Sequence, residues 1–170
     1  MVVKEVLMIG NPALREPSAD IAFDDPGLQY ILPDLKDTLT HLQETKRIGR
    51  ALAAPQIGYV KKAIYFQIPD NAFYILNPDI LEHSDEMIDV WDSCYSFDVA
   101  FFVKIPRHNR IKVRFLTPDG EEKVEEYIGD MAELVQHEVD HLFGVLATDH
   151  LKDPKNVILR QEWERRHRKE

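Results

Sequence analysis

A chain of 170 residues is one ordinary domain with room for a packed core. Hydrophobic residues make up 44% and charged residues 30%, which excludes a disordered chain, and 21 Lys+Arg against 30 Asp+Glu leave a net charge of −9, the wrong sign for bulk binding of DNA. One cysteine, Cys94, excludes an internal disulfide and points to a reducing, cytoplasmic setting; no apolar run approaches the roughly 18 residues of a membrane helix, and the first residues do not resemble a secretory signal.

Residues 10–15 read as a loop. A helix follows. Asp25 can cap it, Pro26 suits the first helical position, and Leu28, Ile31, Leu32, Leu35, Leu39 and Leu42 fall on one helical stripe. Pro33 inside that stripe predicts a kink or a late start, and Gly49 a stop. Residues 63–68 and 73–76 are rich in β-branched and aromatic side chains, with Pro69-Asp70 and Asn77-Pro78 as breakers. Residues 111–115 alternate apolar and basic, and a Thr117-Pro118-Asp119-Gly120 turn lets 123–128 return as a hairpin partner.

A second helix is marked by Asp130 and Glu133, spaced as a capping box, and by Gly144 as terminator. Between them Met131, Leu134, Val135, Val139, Leu142 and Phe143 cover most of the circumference, so this helix is expected in the middle of the domain. A last helix is expected from Asp153-Pro154 to the basic end. Strands followed by packed helices make the class α+β.

The central helix carries His137-Glu138-Val139-Asp140-His141, the H-E-x-x-H pattern. Residues four apart share a helix face, so both imidazoles can reach one metal ion, and Glu138 is rotated to the flank, where it can take a proton from a water on that ion. The third ligand is open. The histidine of the H-E-x-x-H-x-x-G-x-x-H pattern is replaced by Ala147, which leaves Glu162 downstream or Cys94 upstream.

Three ordered motifs resemble the peptide deformylase family. G-φ-G-φ-A-A-x-Q (φ apolar) reads Gly49-Arg50-Ala51-Leu52-Ala53-Ala54-Pro55-Gln56, E-G-C-L-S reads Asp92-Ser93-Cys94-Tyr95-Ser96, and Q-H-E-φ-D-H is intact at Gln136–His141. The resemblance implies mainly antiparallel sheets wrapped around a central helix that bears the histidines, with residues 1–152 as the catalytic domain and 153–170 as a C-terminal helix of the same domain. It implies a divalent ion on Cys94, His137 and His141, usually Fe(II), with zinc or nickel able to replace it. Glu138 would be the general base. Gln56 and the backbone N–H of Tyr95 would bind the formyl oxygen. Gly49, Arg50, Ala51, Leu52, Asp92 and Ser93 would contact substrate, and Asp140 and Arg107 would support the ligands from outside. The implied substrate is the N-formyl-methionyl end of a nascent chain. Weak ribosome contact through the basic end is left open.

The first two motifs depart from the pattern. Arg50 stands for an apolar residue near the methionine pocket, Ala51 and Ser93 for glycines, Asp92 for a glutamate and Tyr95 for a leucine. Two alternatives follow: an amidohydrolase of the same fold for another N-acyl group, and a non-catalytic peptide- or ribosome-binding relative.

Overall fold

A computed structural model describes residues 2–167. The chain runs α1 (Leu28–Lys46), β1 (Ala51–Ala53), β2 (Ala63–Ile68), β3 (Asn71–His83), β4 (Met87–Asp92), β5 (Phe101–His108), β6 (Arg110–Leu116), β7 (Glu122–Ile128), α2 (Asp130–Leu142), β8 (Val157–Leu159) and α3 (Arg160–His167). The strands form a five-stranded sheet ordered β1-β2-β3-β6-β7 and a three-stranded sheet ordered β4-β5-β8, and the strand pairs within both sheets are antiparallel. The expected α+β class stands. No described helix is long and apolar enough to cross a membrane.

The five-stranded sheet is covered on both faces at its β1-β2 end. Side chains alternate along a strand. Ala51, Ala53, Ile64 and Phe66 pack with Val135, Val139 and Leu142 of α2, whereas Leu52, Ala63 and Tyr65 pack with Ile31, Leu35 and Leu39 of α1. This double burial explains why β2 reads as a continuous apolar run. It also places α2, with its two histidines, between the large sheet and the small one.

Several local expectations change. The α1 helix starts at Leu28 rather than Pro26. Asp25 turns its carboxylate to the Gly27 N–H at 2.8 Å, so the cap sits outside the helix. Pro33 lies inside α1, and the helix continues past it to Lys46, where left-handed Arg47 rather than Gly49 ends it. Strand β3 does not break at Asn77-Pro78. Its register to β6 shifts there, Asn77 has φ 48°, and its side-chain amide exchanges two 2.8 Å hydrogen bonds with the Ile21 backbone. The predicted breaker is therefore a bulge.

The capping box at the start of α2 does not form: Gly129 is the cap, and Asp130 already lies within the helix. Gly144 does sit beyond the C-terminus with φ +72°, and a Cβ there would lie 2.3 Å from the Arg15 carbonyl oxygen. The last helix begins at Arg160 rather than Asp153, because 157–159 pair first with β5. In its basic end Arg165 pairs with Glu162 at 2.6 Å, and the Arg160 guanidinium is drawn over the Phe102 ring. Arg168 and Lys169 lie outside the described residues.

Candidate metal centre and cleft

His137 and His141 stand one turn apart on α2, and their Nε2 atoms face each other at 3.2 Å. Cys94 enters from the loop after β4, with Sγ 3.2 Å from His141 Nε2. All three side chains are buried, and their donor atoms lie within 4.8 Å of one another. Three donor atoms that converge in a buried spot can share a cation, so the set fits a divalent ion with thiolate and imidazole ligands. A second trio, Asp92, Glu133 and His137, is equally compact. Its carboxylates are otherwise engaged, Asp92 with Arg107 and Glu133 with Arg50.

The order of those engagements sets the site's electrostatics. Asp92 accepts from His137 Nδ1 at 2.8 Å, which leaves Nε2 free to face Cys94 and His141. Burial pushes Asp92 upward, but His137 and Arg107 outweigh it and hold the carboxyl down at about 2. Burial also lowers His137, yet Asp92 and Cys94 raise it well above the usual histidine value. His141 is depressed to about 3 by burial and by His137. Arg107, 3% exposed on β5, bridges Asp92 at 3.0 Å and Asp140 at 2.5 Å, and Asp140 accepts a further contact from His150 at 2.7 Å.

Glu138 is buried to 4% exposure beside the three donors, and its Oε2 has no hydrogen-bond partner among the described residues. Burial raises it to about 7. Gln56, from the turn after β1, is held at both ends. Its Oε1 accepts from the Ala53 N–H at 2.9 Å, and its Nε2 points to Cys94 Sγ and Ser96 Oγ, each at 3.2 Å. Tyr95 opens the turn Tyr95–Phe97, so its N–H has no partner within that turn. These groups line a cleft of about 590 Å³ that runs between β1 and β4, each an edge strand of its own sheet.

The structure brings Gly49, Arg50, Ala51, Asp92 and Ser93 to this cleft. Leu52 is corrected: its side chain is fully buried on the opposite sheet face, against α1, as strand alternation requires. Asp92 lines the cleft but spends its oxygens on His137 and Arg107, so it orients a ligand rather than meeting solvent. Glu162 belongs to α3 and pairs with Arg165, which leaves Cys94 as the third donor.

Sequence reasoning passed over several groups. Glu133 lines the cleft and pairs with Arg50 at 3.3 Å. Its signal was its place one turn before His137 on the same helix face. Gln136 accepts from the His108 N–H at 3.1 Å and donates to the His108 carbonyl at 2.8 Å, stitching α2 to β5. His150 joins the Arg107–Asp140 network, and Phe102 and Trp163, stacked at 4.6 Å, wall the far end of the cleft. No sequence spacing announces these.

Gly49 and Tyr95 depend on each other. Gly49 has φ +96°, and a Cβ there would fall 1.8 Å from Tyr95 Oη, whose hydroxyl donates to the Ile48 carbonyl. Gly49→Ala is expected to cost roughly 1–3 kcal/mol in backbone strain and more from the collision. Adding Tyr95→Leu recovers the collision part. Denaturant unfolding of parent, single and double variants checks this, and a double variant no more stable than Gly49→Ala would show that the ring is not the obstacle.

The family described as polypeptide deformylase matches residues 3–157. A peptide deformylase of Thermotoga neapolitana is 35% identical over 156 residues, 92% of each chain. The crystal structure of the Thermotoga maritima peptide deformylase superposes with a TM-score of 0.80 at 32% identity, covering 90% of this chain and 100% of that one. A class I type b peptide deformylase of Acinetobacter baumannii, crystallised with Met-Ala-Ser, superposes with a TM-score of 0.78 at 28% identity, covering 88% and 99%.

Proposed function

This chain belongs to the peptide deformylase family and is a metal-dependent deformylase, and we propose that it hydrolyses the formyl amide of nascent peptides at the cluster of Cys94, His137 and His141, with Glu138 moving the proton. The family matches do not favour another N-acyl substrate or a non-catalytic relative. The observation that carries the mechanism is the buried Oε2 of Glu138, without a hydrogen-bond partner among the described residues, beside three converged metal donors.

Cys94, His137 and His141 would hold a divalent ion, which would supply Lewis-acid activation of a water and of the formyl group. Glu138 takes the proton of the attacking water and passes it to the amine nitrogen as the C–N bond breaks, releasing formate and a free N-terminus. Burial raises its carboxyl above the usual carboxylate range, which favours a group that must both take and return a proton. Gln56 Nε2 donates to the formyl oxygen as charge develops. Its amide is already oriented by the Ala53 N–H, so little reorganisation accompanies the reaction. The Tyr95 N–H supplies the second donor. Arg107 and Asp92 hold His137 in the tautomer that leaves Nε2 for the ion.

The cleft between the two free strand edges suits an extended peptide lying as an added strand. The A. baumannii relative was crystallised with a short peptide, Met-Ala-Ser. We take formyl-methionyl chains as substrates, the cytoplasm where such chains emerge as the compartment, and Fe(II) as the resident ion. The test is formate release from formyl-Met-Ala-Ser by anaerobically purified protein, with metal analysis of the same sample. Chelation is expected to abolish formate release, and Fe(II) added without air to restore it. Unchanged turnover after complete metal removal would overturn the mechanism.

A further inference from the structure

Arg50 is not used by this mechanism, yet its side chain stands in the cleft. Its Nη1 bonds Asp130 Oδ2, and its Nη2 lies 3.3 Å from Glu133 Oε2. Glu133 is 9% exposed, so its carboxylate is largely withdrawn from water and relies on Arg50 for compensation. Glu133 stands one turn before His137 on α2 and Asp130 two turns before, on the face that carries the metal donors. Arg50, Asp130 and Glu133 line the same cleft as Glu138 and Gln56, which puts them within reach of the first side chain of a peptide bound there. The surroundings there are not purely apolar. Leu134 and Ile88 contribute hydrocarbon, but one guanidinium and two carboxylates share the wall.

We propose that Arg50, Asp130 and Glu133 form a polar subsite for the first side chain, and that the enzyme accepts formyl peptides opening with a polar residue of methionine's length at least as well as formyl-methionyl peptides. The inference rests on the deformylase reading. Glutamine has methionine's reach. Its amide NH₂ donates to the carboxylate oxygens of Glu133 or Asp130, and its amide oxygen accepts from Arg50. A thioether displaces water from the same groups and returns no hydrogen bond, a loss that falls on buried Glu133 far more than on part-exposed Arg50 or exposed Asp130.

The experiment compares kcat/KM for formyl-Met-Ala-Ser, formyl-norleucyl-Ala-Ser and formyl-Gln-Ala-Ser, read as formate release by the metal-loaded enzyme. The parent is expected to use the glutamine peptide at least as efficiently as the other two. The variant Arg50→Val with Glu133→Leu is expected to move the glutamine-to-methionine ratio about tenfold or more toward methionine. Calorimetric binding of the products Gln-Ala-Ser and Met-Ala-Ser is expected to follow the parent's order, and it gives that order without turnover. A parent that prefers methionine about tenfold or more overturns the subsite, as does a folded double variant with an unchanged ratio. Should the double variant fail to fold, the parent's ratio and the single variant Arg50→Met decide. Formate from none of the peptides, with product binding still in the predicted order, would instead sink the deformylase reading and leave the subsite standing.

Discussion

Replacement of Glu138 by glutamine is expected to lower kcat for formate release by roughly 10²–10⁴-fold, the usual contribution of a positioned acid-base group. Glutamine keeps the shape and volume of the side chain, which matters at a position only 4% exposed. It removes the one property the reaction uses, a carboxylate that binds a proton and then releases it. The metal donors are untouched, because Glu138 contributes no atom to the Cys94, His137 and His141 cluster. Bound metal per chain and the unfolding midpoint should therefore stay close to the parent's. The glutamine variant even relieves the burial of an ionisable group, which is what raises Glu138 to about 7. Three measurements on one preparation check this: kcat, KM and metal content. A loss confined to kcat supports a proton-transfer role. A variant within about tenfold of the parent would remove Glu138 from the chemistry, and a variant that loses its metal would make it a structural prop.

What was legible in the sequence was local. The apolar run of β2, the alternation of β6, the turn at Thr117–Gly120 and the nearly all-apolar girth of α2 each depend on residues close together in the chain. The two histidines were legible for the same reason, since four residues on a helix fix their mutual placement before any tertiary contact exists. Cys94 was reachable from local spacing only as one of two options, and the motif around it, together with its order relative to the others, decided between them.

The less legible features are non-local. Asn77-Pro78 reads as a break because both residues oppose a regular strand. The fold turns them into a bulge because the Asn77 amide clamps Ile21, 56 residues away. Asp130 and Glu133 read as helix caps because their spacing matches a local motif. In the fold, Gly129 caps the helix and Arg50, 80 or more residues distant, claims both carboxylates. Leu52 reads as a substrate contact because it sits inside a motif, but a strand buried on both faces sends alternate side chains to opposite cores. In each case a local signal was overridden by a partner whose distance along the chain no spacing rule reports.

Arg107→Met is expected to give the largest loss of stability among the predictions made for this protein. Arg107 is 3% exposed and is the cation shared by Asp92 and Asp140, tying β4 and α2 to β5. Methionine fills much of the volume but leaves two carboxylates short of their counter-charge, and breaking a buried pair on one side typically costs roughly 3–5 kcal/mol. For a domain of this size each kcal/mol lowers Tm by roughly 2–4 °C, so a fall of roughly 6–20 °C is expected in thermal unfolding. Asp140 keeps His150 at 2.7 Å, so most of the loss should trace to Asp92, whose remaining partner is His137. Adding Asp92→Asn to Arg107→Met removes the uncompensated charge and should recover a large part of the Tm. It should not recover metal affinity, because an amide orients His137 less firmly than a carboxylate, and losing such an outer partner typically weakens metal binding roughly 10–100-fold. The two readouts thus separate. If Arg107→Met lowers Tm by less than about 3 °C, or if the double variant regains metal affinity along with stability, Arg107 is not the charge that holds this centre together.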